Sequence, residues 1–267
     1  MPNRRNLYFF YEQNASMPTE QLNTLYKQLE NKGFTILKHP EHANAIISIG
    51  EDGTFLQALR KTGFRDDCLY AGVSVTDETS FYCDFNLQQM EKALEEISNT
   101  AIEVRRYPII HVTVDNDTSF YCLNEFSIRS SIIKTLAIDV WIDDLHFETF
   151  RGDGLIVSTP TGSTAYNKSL RGAVVDPMLP CYQVSELASL NNNSYRTLGS
   201  PFILSSDRTL KLKVVQDGND HPVMGMDNEA LSIKHVDQVV VKLSERRIKT
   251  VKLKNNSFWQ KVQRTFL

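Results

Sequence analysis

The hydrophobic pattern of this chain changes period near residue 101, and that change divides what it can fold into. Before it, short apolar runs alternate with stretches of helical spacing. Leu7–Tyr11 is wholly apolar, as in a strand covered on both faces. Ser16 is placed to cap a helix with Pro18 in its first turn. Leu22, Leu25, Tyr26 and Leu29 then recur at helical spacing up to Gly33, a residue suited to a left-handed helix end. Further strands are predicted at Phe34–Leu37, Ala45–Ile49 and Leu69–Val75. Helices are predicted around Phe55, Leu56 and Leu59 and over Leu87–Ile97. Strands separated by helices of this length predict a parallel sheet with right-handed crossovers.

Beyond residue 101 the apolar positions alternate instead. Ile102, Val104, Ile110, Val112 and Val114 do so, as do Leu136, Ile138, Val140 and Ile142. The habit continues through Ile203, Leu210, Leu212, Val214, Ile233, Val239, Val241, Ile248, Val251 and Leu253, with turn signals at Asp143–Asp144 and Asp217–Gly218. Two domains follow: an α/β unit over residues 1–100 and an antiparallel β unit over 101–256. Phe258, Trp259, Val262 and Phe266 predict a terminal helix at 257–267, packing on one of the two and grouped with the first.

Composition narrows the function. A net charge of −3 over 267 residues argues against a nucleic-acid binder, which needs a basic excess to compete for phosphates. Cys68, Cys83, Cys122 and Cys181 are widely spaced and form no CxxC pair, so no metal framework or disulfide scaffold is expected. No apolar run has a signal peptide's core or the ~18 residues of a membrane span. A cytoplasmic protein without membrane or nucleic-acid partners is expected.

Three segments carry chemistry. Ser48-Ile49-Gly50-Glu51-Asp52-Gly53-Thr54 follows a strand and opens a helix. Glycines there let a backbone approach phosphates, and the helix N-terminus adds donors; the same turn also serves as plain structure. Asp52, an acid among backbone amides, is suited to hold a hydroxyl or accept its proton. Asn124-Glu125 is a polar pair amid Tyr121, Leu123 and Phe126. It either faces solvent at a strand end or grips something, for which a ribose with its vicinal hydroxyls has the right donors and acceptors. The third segment runs from Arg151-Gly152-Asp153-Gly154 to Ser158-Thr159-Pro160-Thr161-Gly162-Ser163-Thr164-Ala165-Tyr166. Its hydroxyls, free amides and aromatic ring are a mix that reads a purine edge and stacks on its face. His111, His146 and His235 read as structural, and His221, near Asp227-Asn228-Glu229, as a candidate substrate contact.

In this order, Gly-Glu-Asp-Gly-Thr, Asn-Glu and Gly-Asp-Gly…Thr-Pro-Thr-Gly-Ser-Thr-Ala-Tyr resemble the NAD kinase family, and within it the ATP-NAD kinases of Gram-positive bacteria. Ser-Glu-Leu-Ala-Ser-Leu-Asn-Asn at 185–192 and Tyr-Arg-Thr-Leu-Gly-Ser-Pro at 195–201 extend the resemblance over essentially the whole chain. It implies an N-terminal Rossmann-like α/β domain and a C-terminal antiparallel β-sandwich domain, with the active site between them. It implies phosphorylation of the 2′-hydroxyl of the adenosine ribose of NAD, with ATP as donor, a divalent metal ion such as Mg2+, and a homodimer or homotetramer. On this resemblance Asp52 is the catalytic base and Gly53 lies against the dinucleotide. Asn124 and Glu125 bind the nucleosides. Asp153 and Thr161, Gly162, Ser163, Thr164, Ala165 and Tyr166 contact adenine and nicotinamide, with Arg151 and Ser158 at the same pocket. Leu190 and Tyr195 reach a neighbouring subunit's site. Relatives carry a glycine where this chain has Glu51. A side chain there predicts crowding at the phosphates, and strain of about 1–3 kcal/mol if the glycine's torsions are unusual. It also supports an alternative: a NAD-binding sensor or regulatory protein with weak kinase activity. Phe81 and Tyr82 are placed where an adenine could pack.

Overall fold

A computed structural model describes residues 5–12, 19–76, 80–87, 103–218, 222–231, 235–252 and 256–267. By contact the chain divides into two units, Met1–Arg106 with Ile248–Leu267, and Tyr107–Arg247. In chain order the first holds β1 (Asn6–Phe10), α1 (Thr19–Asn31), β2 (Thr35–Leu37), β3 (Ala45–Ile49), α2 (Asp52–Lys61), β4 (Leu69–Ser74) and β5 (Cys83–Asn86). After β6 (Glu103–Val114) come β7 (Thr118–Cys122), β8 (Glu125–Arg129), β9 (Leu136–Ile142), β10 (Leu145–Gly152) and β11 (Gly154–Ser158). Then follow α3 (Tyr166–Ser169), β12 (Cys181–Leu187), β13 (Phe202–Ser205), β14 (Leu210–Val214), β15 (Val223–Met226) and β16 (Glu229–Leu231). β17 (Gln238–Lys252) and α4 (Phe258–Phe266) end the chain.

In the first unit β2, β1, β3 and β4 lie side by side and parallel, with β5 and the end of β17 also paired to β4. The first four strands fall within one residue of their sequence-derived bounds. Leu7 and Phe9 bury against Leu22, Leu25 and Leu29 of α1, while α2 buries Phe55, Leu56 and Leu59. Residues 248–252, grouped with the β domain by their alternation, lie in this unit, because Lys249 and Thr250 pair parallel with Leu69 and Tyr70. The terminal helix is also in it, but turned from the expected face. Phe258 and Lys261 are buried, whereas Trp259 is 49% exposed and Phe266 36%. The helix expected at 87–97, the cap at Ser16 and Pro18, the residues Asp77–Thr79, and Ile102, His221, Ile233 and Leu253 lie outside the described residues, the first residue of that helix apart.

The second unit is built of two sheets. β10, β9, β14 and β17 pair antiparallel, with β6 and β7 beyond β17. The other sheet runs β13-β12-β11-β8-β15-β16, antiparallel throughout. One apolar core takes Ile110, Val112, Ile138, Val140, Leu210 and Val241 from the first sheet and Phe126, Ile128, Leu155, Val157, Tyr182 and Val184 from the second. Burial of each such side chain stabilises by about 1.5–3 kcal/mol. Side chains alternate along a strand, so the second sheet's other face carries Glu125, Ser127, Ser158, Gln183 and Ser185. Apart from the half-buried Ser127, these polar side chains are buried, and they demand partners.

Candidate active site

In the first unit the candidate catalytic turn lies where β3 runs into α2. Gly50 has φ +149°, and a Cβ there would lie 2.5 Å from Thr54 Oγ1, so only glycine fits. Glu51, by contrast, has φ −105° and ψ −172°, an extended backbone open to any residue, and its side chain is exposed. The strain considered for this position is therefore absent. Asp52 begins α2 and Gly53 follows it in the first turn, both half-buried. The Asp52 carboxylate accepts from the Ser80 hydroxyl at 2.7 Å and the Tyr82 amide at 2.6 Å on Oδ1, and from the Phe81 amide at 2.9 Å on Oδ2. A carboxylate has about four acceptor sites. Three fix its plane, and Oδ2 retains one for a substrate hydroxyl. Phe81 and Tyr82 are themselves buried. Their rings meet each other, Tyr82 stacks on Phe55 at 5.0 Å, and Phe81 meets Phe258 edge-on at 5.7 Å. They serve the fold and the carboxylate and are not open to an adenine.

In the second unit the polar sheet face gathers most of the remaining candidates. Ser158 lies opposite Glu125 in the β11–β8 register, so both side chains stand on that face. The loop from Thr159 to Val175 folds over it. Asn167 accepts from Ser185 at 2.6 Å, Gln183 donates to Ala173, and Ser163 links the Pro160 carbonyl to the Val175 amide. Thr164 bonds back to Thr161, and Ala165 ends the short 3-10 turn Thr161–Thr164. Gly162 packs against Asn124: a Cβ would lie 2.0 Å from the Asn124 carbonyl oxygen. Ser163 and Thr164 therefore shape the loop, while Ser158 Oγ, Thr161 Oγ1 and Glu125 Oε2 are buried with no hydrogen-bond partner. Native proteins rarely leave such groups unpaired, and here they converge from adjoining segments.

Glu125 is held against an unusual neighbour. Asp227, in the left-handed conformation at φ +52°, turns its carboxylate onto the chain entering β8. It accepts from the Asn124 amide at 2.7 Å and from the Leu123 and Glu125 amides at 3.2 Å. Burial, and then the Asp227 charge, push the Glu125 carboxyl up to about 8, with only the Tyr166 amide opposing. At neutral pH Glu125 carries a proton and can donate as well as accept. The Tyr166 ring runs beside Arg129, whose guanidinium stands 5.9 Å from its centre.

Arg151, near the end of β10, and Asp153, at the corner into β11, lie away from Ser158 at the far end of β11, which for Asp153 is about 17 Å by strand rise. Arg151 pairs with Asp217 at 3.0 Å and lies over the Tyr195 ring at 4.8 Å. Asp153 is exposed at the corner, where its backbone bonds Leu187 and Ser130. His146 and His235 pair with Asp139 and Asp237, and His111 stacks on Tyr121. Sequence reasoning missed the roles of Ser80–Tyr82 around Asp52. It noted the Asp227 segment without foreseeing that its carboxylate orders Asn124–Glu125. Among the described residues no group of three or more His, Cys, Asp or Glu side chains could hold a metal ion. A magnesium ion held mainly by substrate phosphates needs only one or two carboxylates, and Asp52 and Glu51 are the acids at this helix start. No helix among them is long and apolar enough to cross a membrane.

Comparison with known proteins bears on these observations. Residues 123–253 match the family model described as ATP-NAD kinase C-terminal domain. The chain is 69% identical over its full length to all of a Bacillus cereus protein named NAD kinase 2. It is 64% identical to the Bacillus subtilis protein of that name, covering 99% of this chain and 98% of the other. Among solved structures, yeast NADH kinase complexed with NADH aligns with a TM-score of 0.79 at 17% identity, covering 98% of this chain and 87% of that one. An NAD kinase from Archaeoglobus fulgidus in complex with ATP gives 0.75 at 21% identity, covering 97% and 98%. At such identity the structures speak for the fold alone.

Proposed function

Because this chain belongs to the NAD kinase family, we propose that it transfers the terminal phosphate of ATP to the 2′-hydroxyl of the adenosine ribose of NAD, giving NADP, with Asp52 as the general base. The carboxylate held by three donors at the start of α2 carries this reading. Its orientation is fixed, and one acceptor site is left for the hydroxyl whose oxygen attacks the phosphorus. Phosphoryl transfer asks the protein chiefly for positioning and charge neutralisation. Asn124, Glu125, Ser158, Thr161 and Tyr166 offer the donors, acceptors and ring that hold the nucleosides of NAD. With its proton in place, Glu125 meets the ribose hydroxyls or an amide without repelling the pyrophosphate. A magnesium ion held mainly by the ATP phosphates would neutralise their charge, with Asp52 and Glu51 the nearby acids. The ordinary backbone at Glu51 removes the strain argument for a sensor with weak kinase activity. A homodimer or homotetramer belongs to the same reading. Leu190, Tyr195, Leu198 and Ile203 are each at least 39% exposed, a surface suited to a second copy, and light scattering tests it.

The chemical role is tested by assaying NADP formation with ATP and magnesium, beside titration calorimetry with NAD. Asp52→Asn should lower kcat by about 10²–10⁴-fold, the usual contribution of a general base, while NAD affinity stays nearly constant. An unchanged kcat would remove Asp52 from the chemistry.

A further inference from the structure

Asp52 is gripped by the segment Ser80–Tyr82, and that segment is anchored in turn from the terminal helix. Lys261 is wholly buried. Its ammonium donates to the Phe81 carbonyl at 2.6 Å and pairs with the buried carboxylate of Asp84. Asp84 also takes Arg105 at 2.6 Å and Asn256 at 2.9 Å. The Phe81 carbonyl and the Tyr82 amide are the two ends of one peptide unit. Lys261 holds the oxygen, and Asp52 accepts from the N–H at 2.6 Å. A peptide unit is a rigid plane, so fixing its oxygen fixes the direction of its N–H. A cation at the oxygen also polarises the amide and strengthens the bond it donates.

We propose that Lys261 is a positioning residue for phosphoryl transfer, acting through the Phe81–Tyr82 peptide to orient the Asp52 carboxylate. This rests on the reading of Asp52 as the base. A buried lysine is a costly way to fill a helix face, since an apolar side chain of similar volume is often tolerated as well or better; α4 spends its most buried position on a charge. Burial, opposed by Asp84 and Asp52 and helped by the Arg105 charge, brings the ammonium down to about 8, so Lys261 keeps its proton at neutral pH.

The test is a double-mutant cycle on the full chain. A displacement near 1 Å can cost about 10²-fold in rate, so Lys261→Met should lower kcat by about that factor while the KM values for NAD and ATP move little. Lys261→Arg should recover part of the loss. In the Asp52→Asn background Lys261→Met should cost nothing further, because residues acting as a unit are not additive. A lowered melting temperature with unchanged kcat overturns the proposal, and so does a loss that multiplies with that of Asp52→Asn. If the methionine variant does not fold, Lys261→Gln, which keeps a donor for the Phe81 carbonyl without the charge, enters the same cycle and is judged by the same two outcomes. An Asp52→Asn variant with unchanged kcat would instead remove the underlying reading, whatever Lys261 does.

Discussion

Asp52 and Glu125 are both carboxylic acids in polar settings, yet their surroundings give them opposite duties. Asp52 is ringed by donors at the N-terminus of α2, where the helix dipole also favours negative charge. It stays an acceptor with a fixed plane. Glu125 is buried on a sheet face beside Asp227, and its carboxyl is pushed up to about 8. It becomes a donor at neutral pH. Environment, not residue type, assigns the role, and under the proposed function one chain would provide a base for the hydroxyl and a neutral acid for the nucleoside.

The largest way to break this contrast is the Asp52→Asn loss already described, since it removes the acceptor outright. Next comes Gly162→Ala, which should spare the Asp52 region and disturb only the other. Its Cβ would overlap the Asn124 backbone, and overpacking of that kind costs about 1–3 kcal/mol. A lower melting temperature with weakened NAD binding by calorimetry is expected. Glu125→Gln is subtler. The amide imitates the protonated acid, so KM for NAD at neutral pH should hardly change. The variant should differ in its response to pH. A carboxyl raised from 4.5 to about 8 contributes stability that is fully present below about 4.5 and is lost as pH rises through about 8. The wild type should therefore lose melting temperature across that window relative to Glu125→Gln, and parallel curves would refute the shift. The smallest effect belongs to Glu51→Gly. With no strain to relieve, only an exposed charge is removed, and KM for ATP should fall by no more than a few-fold, consistent with about 1 kcal/mol or less for exposed charges.

Much of this was legible in the sequence, for local reasons. β1, β3 and α2 follow from apolar runs and helical spacing, and the turn at Gly50–Asp52 announces itself by its glycines. The polar loop after β11 was equally visible as a run of hydroxyls. What escaped was made by distant pairing. Asp227 meets Leu123, Asn124 and Glu125 across 102 to 104 residues, and no local pattern encodes that contact. Ser80–Tyr82 looked like a place for an adenine because two aromatic rings stood there, but their backbone amides, which sequence does not distinguish, face Asp52. Lys261 was hidden more thoroughly. A lysine on an amphipathic helix reads as solvent-facing, and only the buried partners Asp84 and Phe81 reverse that expectation.

The contrast between the two acids is tested most directly by infrared difference spectroscopy of the carboxyl stretch at neutral pH. A protonated carboxyl band should be present in the wild type, persist in Asp52→Asn and vanish in Glu125→Gln. A band that survives in Glu125→Gln but disappears with Asp52→Asn would contradict the assignment, because the proposed base would then hold the proton it is meant to receive.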